Sequence, residues 1–257
     1  MTAGRFGTLV AAVCVAVVSS MSAQSPSARP APLRVIASNG VKTFVDALVP
    51  AYENASGRPV SLTFGTSSGL VAEIIAGAPF DVVIATADAV AQVRKAGKTS
   101  PEAGTVIGHT PVGLGVKKGA KKPAARTAAE LTQALLAAKA VTYAGNGASR
   151  PHIEAMFTRL GVSDVVKRTA LLEQGSERAI ARVVAGDADL LITLVSEIMP
   201  AAGIDLVGPL PSEFRSDVTF TAAVGASAGD PAAARALIAS LVSPAATPTL
   251  RQKGLER

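Results

Sequence analysis

The chain has 257 residues, 49% hydrophobic and only 17% charged, which supplies apolar material for a core and excludes a largely disordered protein. A single Cys excludes an intramolecular disulfide or a multi-cysteine metal site, and two His far apart in sequence argue against a metal-cation site. The absence of Trp and the 4% aromatic content argue against sugar platforms, quaternary-ammonium cages and single-stranded nucleic-acid surfaces, although the net charge is +6.

Residues 1–23 read as a secretory signal peptide: Arg5 without an acid, an apolar run from Phe6 to Val18, and small residues from Ser19 to Ala23. The run is about 13 residues long, short of the ~20 of a spanning helix. Val13 before Cys14 is bulkier than a lipidation site requires, and cleavage after Ala23 removes that cysteine. The expected location is therefore the periplasm. Residues 24–32, rich in Ser, Ala and Pro, read as a flexible leader.

Regular alternation follows. Leu33–Ala37 is a strand ended by Ser38-Asn39-Gly40, and Val41, Phe44, Val45, Leu48, Val49 and Tyr52 share a helical face that Pro50 could kink. Val60–Phe64 is a second strand. Gly65-Thr66-Ser67-Ser68-Gly69 then opens a helix carrying Leu70, Val71, Ile74 and Ile75, stopped by Gly77. Asp81–Thr86 is a third strand. This β-α-β-α-β order implies a parallel sheet covered by helices, with ligands beyond the carboxyl ends of its strands. Ser38-Asn39-Gly40, Thr66-Ser67-Ser68 and Thr86-Ala87-Asp88 then share one rim.

A second unit is expected from Thr110, with strand Pro111–Val116, a basic loop, a helix near Ala128–Ala138 and strand Ala140–Ala144. Gly145-Asn146-Gly147-Ala148-Ser149-Arg150-Pro151 opens a helix with Ile153, Met156, Phe157 and Leu160. Gln174-Gly175-Ser176-Glu177 opens another, before strand Asp189–Thr193. Asp217–Val224 is a strand and Pro231–Leu241 a closing helix.

The chemical signal is the set of Ser/Asn/Gly turns at helix starts. Helix N-termini offer unpaired N–H groups and partial positive charge, so several facing one cleft can hold an anion without a formal cation. Each turn singly is also a normal structural cap. Gly65–Gly69 matches the G-x-S-x-G elbow of serine hydrolases, but a hydrolase needs its His near the C-terminus, and the two here are His109 and His152. Lys117, Lys118, Lys121, Lys122 and Arg126 form a dense basic cluster that reads as a solvated loop rather than a nucleic-acid surface. Arg150, in a helix-start loop, either meets a ligand carboxylate or points to solvent.

Val35–Gly40, Phe64–Leu70 and Ile75–Ile84, continuing through Leu160-Gly161, Val184-Ala185-Gly186, Ser243–Ala246 and Lys253-Gly254-Leu255, resemble the periplasmic molybdate-binding proteins of ABC importers. The resemblance implies a type II periplasmic binding-protein fold: two α/β lobes with a hinge, closing over an oxyanion in the cleft between them. It implies lobes of residues 33–109 with 217–257, and 110–216. By position, Ser67 matches a hydroxyl ligand, Ser38 or Asn39 the first hydroxyl donor, and Ser149 and Ser176 backbone N–H donors. Leu194 stands where the family has a Tyr, and Ser149-Arg150-Pro151 departs from the usual turn, so a larger or carboxylate-bearing anion is an alternative ligand. The partners implied are a small anion and an ABC membrane permease, with no nucleic acid, no cofactor and a monomeric chain. An exported serine hydrolase using Ser67 is the alternative of another class.

Overall fold

Short β-branched runs and amphipathic segments alternate along the chain, and the computed structural model resolves them into nine strands and ten helices among the described residues, 30–257 with Met1, Thr2 and Gly4. The signal peptide expected at 1–23 and the leader at 24–32 lie largely outside these residues. In chain order the elements are β1 (Leu33–Ser38), α1 (Lys42–Ser56), β2 (Val60–Gly65), α2 (Ser67–Ile75), β3 (Val82–Thr86), α3 (Ala87–Lys95) and β4 (Thr105–Lys117). Then come α4 (Ala128–Ala137), β5 (Val141–Ala144), α5 (Arg150–Arg159), α6 (Ser163–Thr169), β6 (Leu171–Glu173), α7 (Ser176–Ala185) and β7 (Leu190–Leu194). The last are α8 (Val195–Ile198), β8 (Ile204–Pro209), β9 (Asp217–Val224), α9 (Pro231–Leu241) and α10 (Thr247–Gln252).

The strands run in the order β2-β1-β3-β9-β4-β7-β5-β6, with β8 pairing β4. β1 is parallel to β2 and β3, and β5 is parallel to β6 and β7, but β9 and β4 are antiparallel to their neighbours. The first three strands pair in parallel as expected, and the fold is α/β with a sheet that is mixed overall. The reason is β9, which returns from late in the chain and inserts beside β3.

β4 is longer than the expected Pro111–Val116. Its first part, Thr105 to Pro111, pairs β9, and its second, Val112 to Lys117, pairs β7 and β8. One strand thus joins β9 to β7 and β8. Pro50 does not end α1, which runs on to Ser56, and the proline lies on the exposed face, where the carbonyl it leaves unpaired is open to solvent. Gly77 ends α2 as expected, at φ +103. The basic residues 117, 118, 121, 122 and 126 are all exposed.

The core is aliphatic, with Phe44, Tyr143, Phe157 and Phe220 fully buried within it. Val82, Ile84 and Leu33 lie in the same continuous cluster as Leu114, Ile192 and Ile153. Among the described residues no helix is long and apolar enough to cross a membrane.

Candidate functional site

The carboxyl ends of β1, β2 and β3 bring three turns together. β1 ends at Ser38, and a 3-10 turn over Asn39–Val41 redirects the chain into α1. Thr66 caps α2, its hydroxyl accepting from the Gly69 amide at 3.3 Å. Ser67, the first residue of α2, is buried; its Oγ donates to Ser38 Oγ at 3.1 Å and accepts from the Thr86 amide at 3.2 Å. Three strand ends are thereby tied through one hydroxyl.

Two turns from residues 145–149 and 174–176 face this rim. Ser68 Oγ donates to the Asn146 carbonyl at 3.2 Å, and Asn146 Oδ1 accepts from the Gly175 amide at 2.9 Å, holding the 145–149 loop to the start of α7. Deeper in, Ser196 Oγ donates to the Gly40 carbonyl at 2.7 Å, and the Ser196 amide donates to Thr110 Oγ1 at 3.2 Å.

These contacts enclose a cavity of about 20 Å³ lined by Ser38, Asn39, Thr66, Ser67, Ala144, Gly147, Ala148, Ser176, Leu194 and Glu197. Space for little more than a water-sized group is left inside it. Outside it lies a wider cleft of about 550 Å³, sharing Ser67, Gly147 and Ala148 and continuing to Asp88, Gln92, His152 and Asp217.

Of the residues singled out in the sequence, Ser38, Asn39, Thr66, Ser67 and Ser176 are therefore brought around one space. Ser149 and Arg150 are not. Ser149 is buried at the start of α5, while its neighbours Gly147 and Ala148 line the cavity. The Arg150 side chain turns outward, donating to Glu154 Oε1 at 2.9 Å and to the Gly145 carbonyl at 2.6 Å, and is 45% exposed. Glu154 lies one turn on, so the local ion pair wins over the cleft. Leu194 does line the cavity, presenting an apolar wall.

Glu197 is the cavity residue that sequence reasoning missed. It sits in α8, and α8 approaches β4 closely because β4 carries glycines where its face meets the helix. A Cβ at Gly113 would stand 2.7 Å from Val195 Cγ2, and one at Gly115 would stand 2.9 Å from Ile204 Cγ2 and 3.4 Å from Ile198 Cγ2. Ser176 Oγ donates to Glu197 Oε1 at 2.9 Å, and Thr193 Oγ1 donates to Oε2. Burial pushes the Glu197 carboxyl above the ordinary range, and the Thr193, Ser176 and Leu194 donors only partly oppose it. The four-residue spacing from Thr193 at the strand end to Glu197 in the first turn of α8 is the signal that the sequence offers.

Ser67 has no histidine among its hydrogen-bond partners. His109 instead lies 3.8 Å from Glu256 Oε2 and 3.9 Å from Asp217 Oδ2, and the amides and carbonyls of His109 and Glu256 pair. Among the described residues no group of three or more His, Cys, Asp or Glu side chains is arranged to hold a metal ion. The cavity's polar groups are hydroxyls, amides and one carboxyl, and no basic side chain lines it.

Residues 33–256 match the family described as bacterial extracellular solute-binding protein. A curated relative, an aconitate isomerase from Pseudomonas sp, is 26% identical over 229 residues and covers 87% of each chain. The periplasmic molybdate-binding protein of Azotobacter vinelandii has a similar structure, with TM-score 0.73 at 17% identity over 88% of this chain and 99% of that one. The sulfate-binding protein SubI of Mycobacterium tuberculosis reaches TM-score 0.73 at 18% identity over 88% and 86%.

Proposed function

Because the chain belongs to the bacterial extracellular solute-binding proteins, we propose that it is the periplasmic receptor of an ABC importer, carrying a small oxyanion of the molybdate or tungstate kind between its lobes. The observation that carries this reading is the cavity: hydroxyls and helix-start turns from both lobes converge on it, and Ser67 ties three strand ends at its floor. In this reading the first 23 residues are a cleaved signal, and residues 33–109 with 217–257 close on residues 110–216. The chain acts as a monomer without a cofactor or a chemical step, and the closed form docks on a membrane permease. Contacts made from both lobes are what allow a ligand to favour closure.

A second ligand class, a small organic acid, is favoured by the outer cleft, which continues from the cavity and exceeds the space an oxyanion needs. The relative from Pseudomonas is named for its action on one such acid, aconitate.

Calorimetry of the protein against molybdate, tungstate, sulfate and small carboxylates including aconitate separates these readings. Ser67→Ala is expected to weaken the bound ligand about tenfold to a hundredfold, the loss of one hydrogen bond to a charged group. A ligand indifferent to Ser67→Ala overturns the site. Interconversion of aconitate isomers by the purified protein overturns the binding-only reading.

A further inference from the structure

The carboxyl of Glu197 stands in the wall of a cavity otherwise suited to an anion, and this arrangement has to be reconciled with charge. Ser176 and Thr193 each donate to a different oxygen of the carboxyl, so its rotamer is fixed and its position against Ser38 and Ser67 is set. No Lys, Arg or His lines the cavity. An ionised carboxyl and an anion would therefore share a poorly solvated space with hydroxyls and amides as the only compensation, which like charges disfavour.

We propose that an anion enters this cavity together with one proton, held between the ligand and Glu197, so that the site takes proton-bearing or singly charged anions in preference to bare dianions. The inference rests on the reading of the cavity as an anion site. It names the group that sets which anions are accepted.

The surroundings support an acid that takes up this proton. The Glu197 carboxyl is held above the ordinary carboxylate range chiefly by burial, and Glu177 on α7 adds to the rise. Lys42 on α1 borders the groove beside Glu197, but it is bound to Asp46 at 2.8 Å and lies 4.2 Å over the Phe64 ring. On the packed strands, β7 offers the neutral Thr193. On β4, His109 is directed at Asp217 and Glu256, and Lys117 is exposed at the far end. On β8, Asp205 accepts from the Gly119 amide at 2.9 Å. The neighbouring charges are thus engaged elsewhere, and Glu197 is left to balance the ligand.

The test is calorimetry of the full chain with sulfate, phosphate and molybdate in two buffers of different ionisation heat, between about pH 5 and about pH 9. The expected result is uptake of close to one proton per bound sulfate, with affinity falling about tenfold per pH unit above the Glu197 titration. Phosphate, which brings its own proton, is expected to show a smaller uptake and a shallower slope. Glu197→Gln cannot take up the proton and is expected to lose the proton uptake and to flatten the pH slope of the sulfate binding it shows at any one pH. Binding by the unmodified protein without proton uptake and without pH dependence overturns the inference and leaves the anion site standing. No binding of any of the three anions at any pH overturns both.

Discussion

At the scale of single residues, the site and the fold use acids in opposite ways. Asp81 is buried, receives both Arg34 Nε at 3.0 Å and Nη2 at 2.9 Å, and also accepts from the Arg34 and Gly229 amides. The Arg34 side chain, with desolvation opposing and the two amides assisting, lowers its pKa to about 2. A depressed folded-state pKa stabilises above the unfolded value and loses that contribution as pH falls toward 2. Allowing for the half-exposed Arg34, the effect is about 1–2 kcal/mol. Acid titration of the melting temperature is expected to show this loss between about pH 4 and about pH 2, and Asp81→Asn to remove it. Ser67 is bound to Ser38 and the Thr86 amide, so it has no base to activate it, and a fluorophosphonate is expected to leave it unlabelled. The hydroxyl half of the site was legible because Ser and Thr at strand-to-helix turns carry a local signature. Arg150 stayed open between ligand and solvent for the converse reason: the choice is made by side-chain direction, which here takes it to Glu154. Glu197 was hidden because its role depends on Ser176, 21 positions away.

At the scale of elements, the strand, turn and helix order could be read from periodicity over most of the chain, but α3 and β8 are absent from that reading for different reasons. For α3 the signals were present: Thr86 caps it, Asp88 begins it, Arg94 and Lys95 end it, and Ala89, Val90 and Val93 are buried along one face. They were overlooked because the segment was read only as the end of β3. β8 is a two-sided case, a partly exposed strand whose register shifts against β4 at Leu114/Gly115, and such irregular pairing leaves little alternation to read. The glycines of β4 show what an element owes to its neighbour. Gly113→Ala places a methyl against Val195 and 3.0 Å from the Gly208 carbonyl, so α8 has to shift. The expected cost is about 1–3 kcal/mol in stability, measured by denaturant unfolding. Anion affinity is expected to fall with it, since α8 carries Glu197. A variant with unchanged stability and affinity would show that α8 does not depend on this close approach.

At the scale of the whole molecule, residues 33–109 and 110–216 are joined across the cavity by specific bonds, Ser68 to Asn146 at the rim and Ser196 to Gly40 below it. The change of partners along β4, from β9 to β7 and β8, was not legible in the sequence, because a continuous 13-residue strand gives no local mark of where its partners change. The position of β9 has a separate consequence for how the protein is made. This strand stands between β3 and β4, so the sheet begun by residue 33 lacks an interior member until residue 224 has been synthesised. Such distant pairings delay folding until nearly the whole polypeptide is available. A chain still emerging from the ribosome would hence hold residues 33–109 without their closing strand until β9 is made. Chains truncated after Ser216 are expected to remain open to proteolysis across residues 33–109, and resistance there would show that this half completes itself alone.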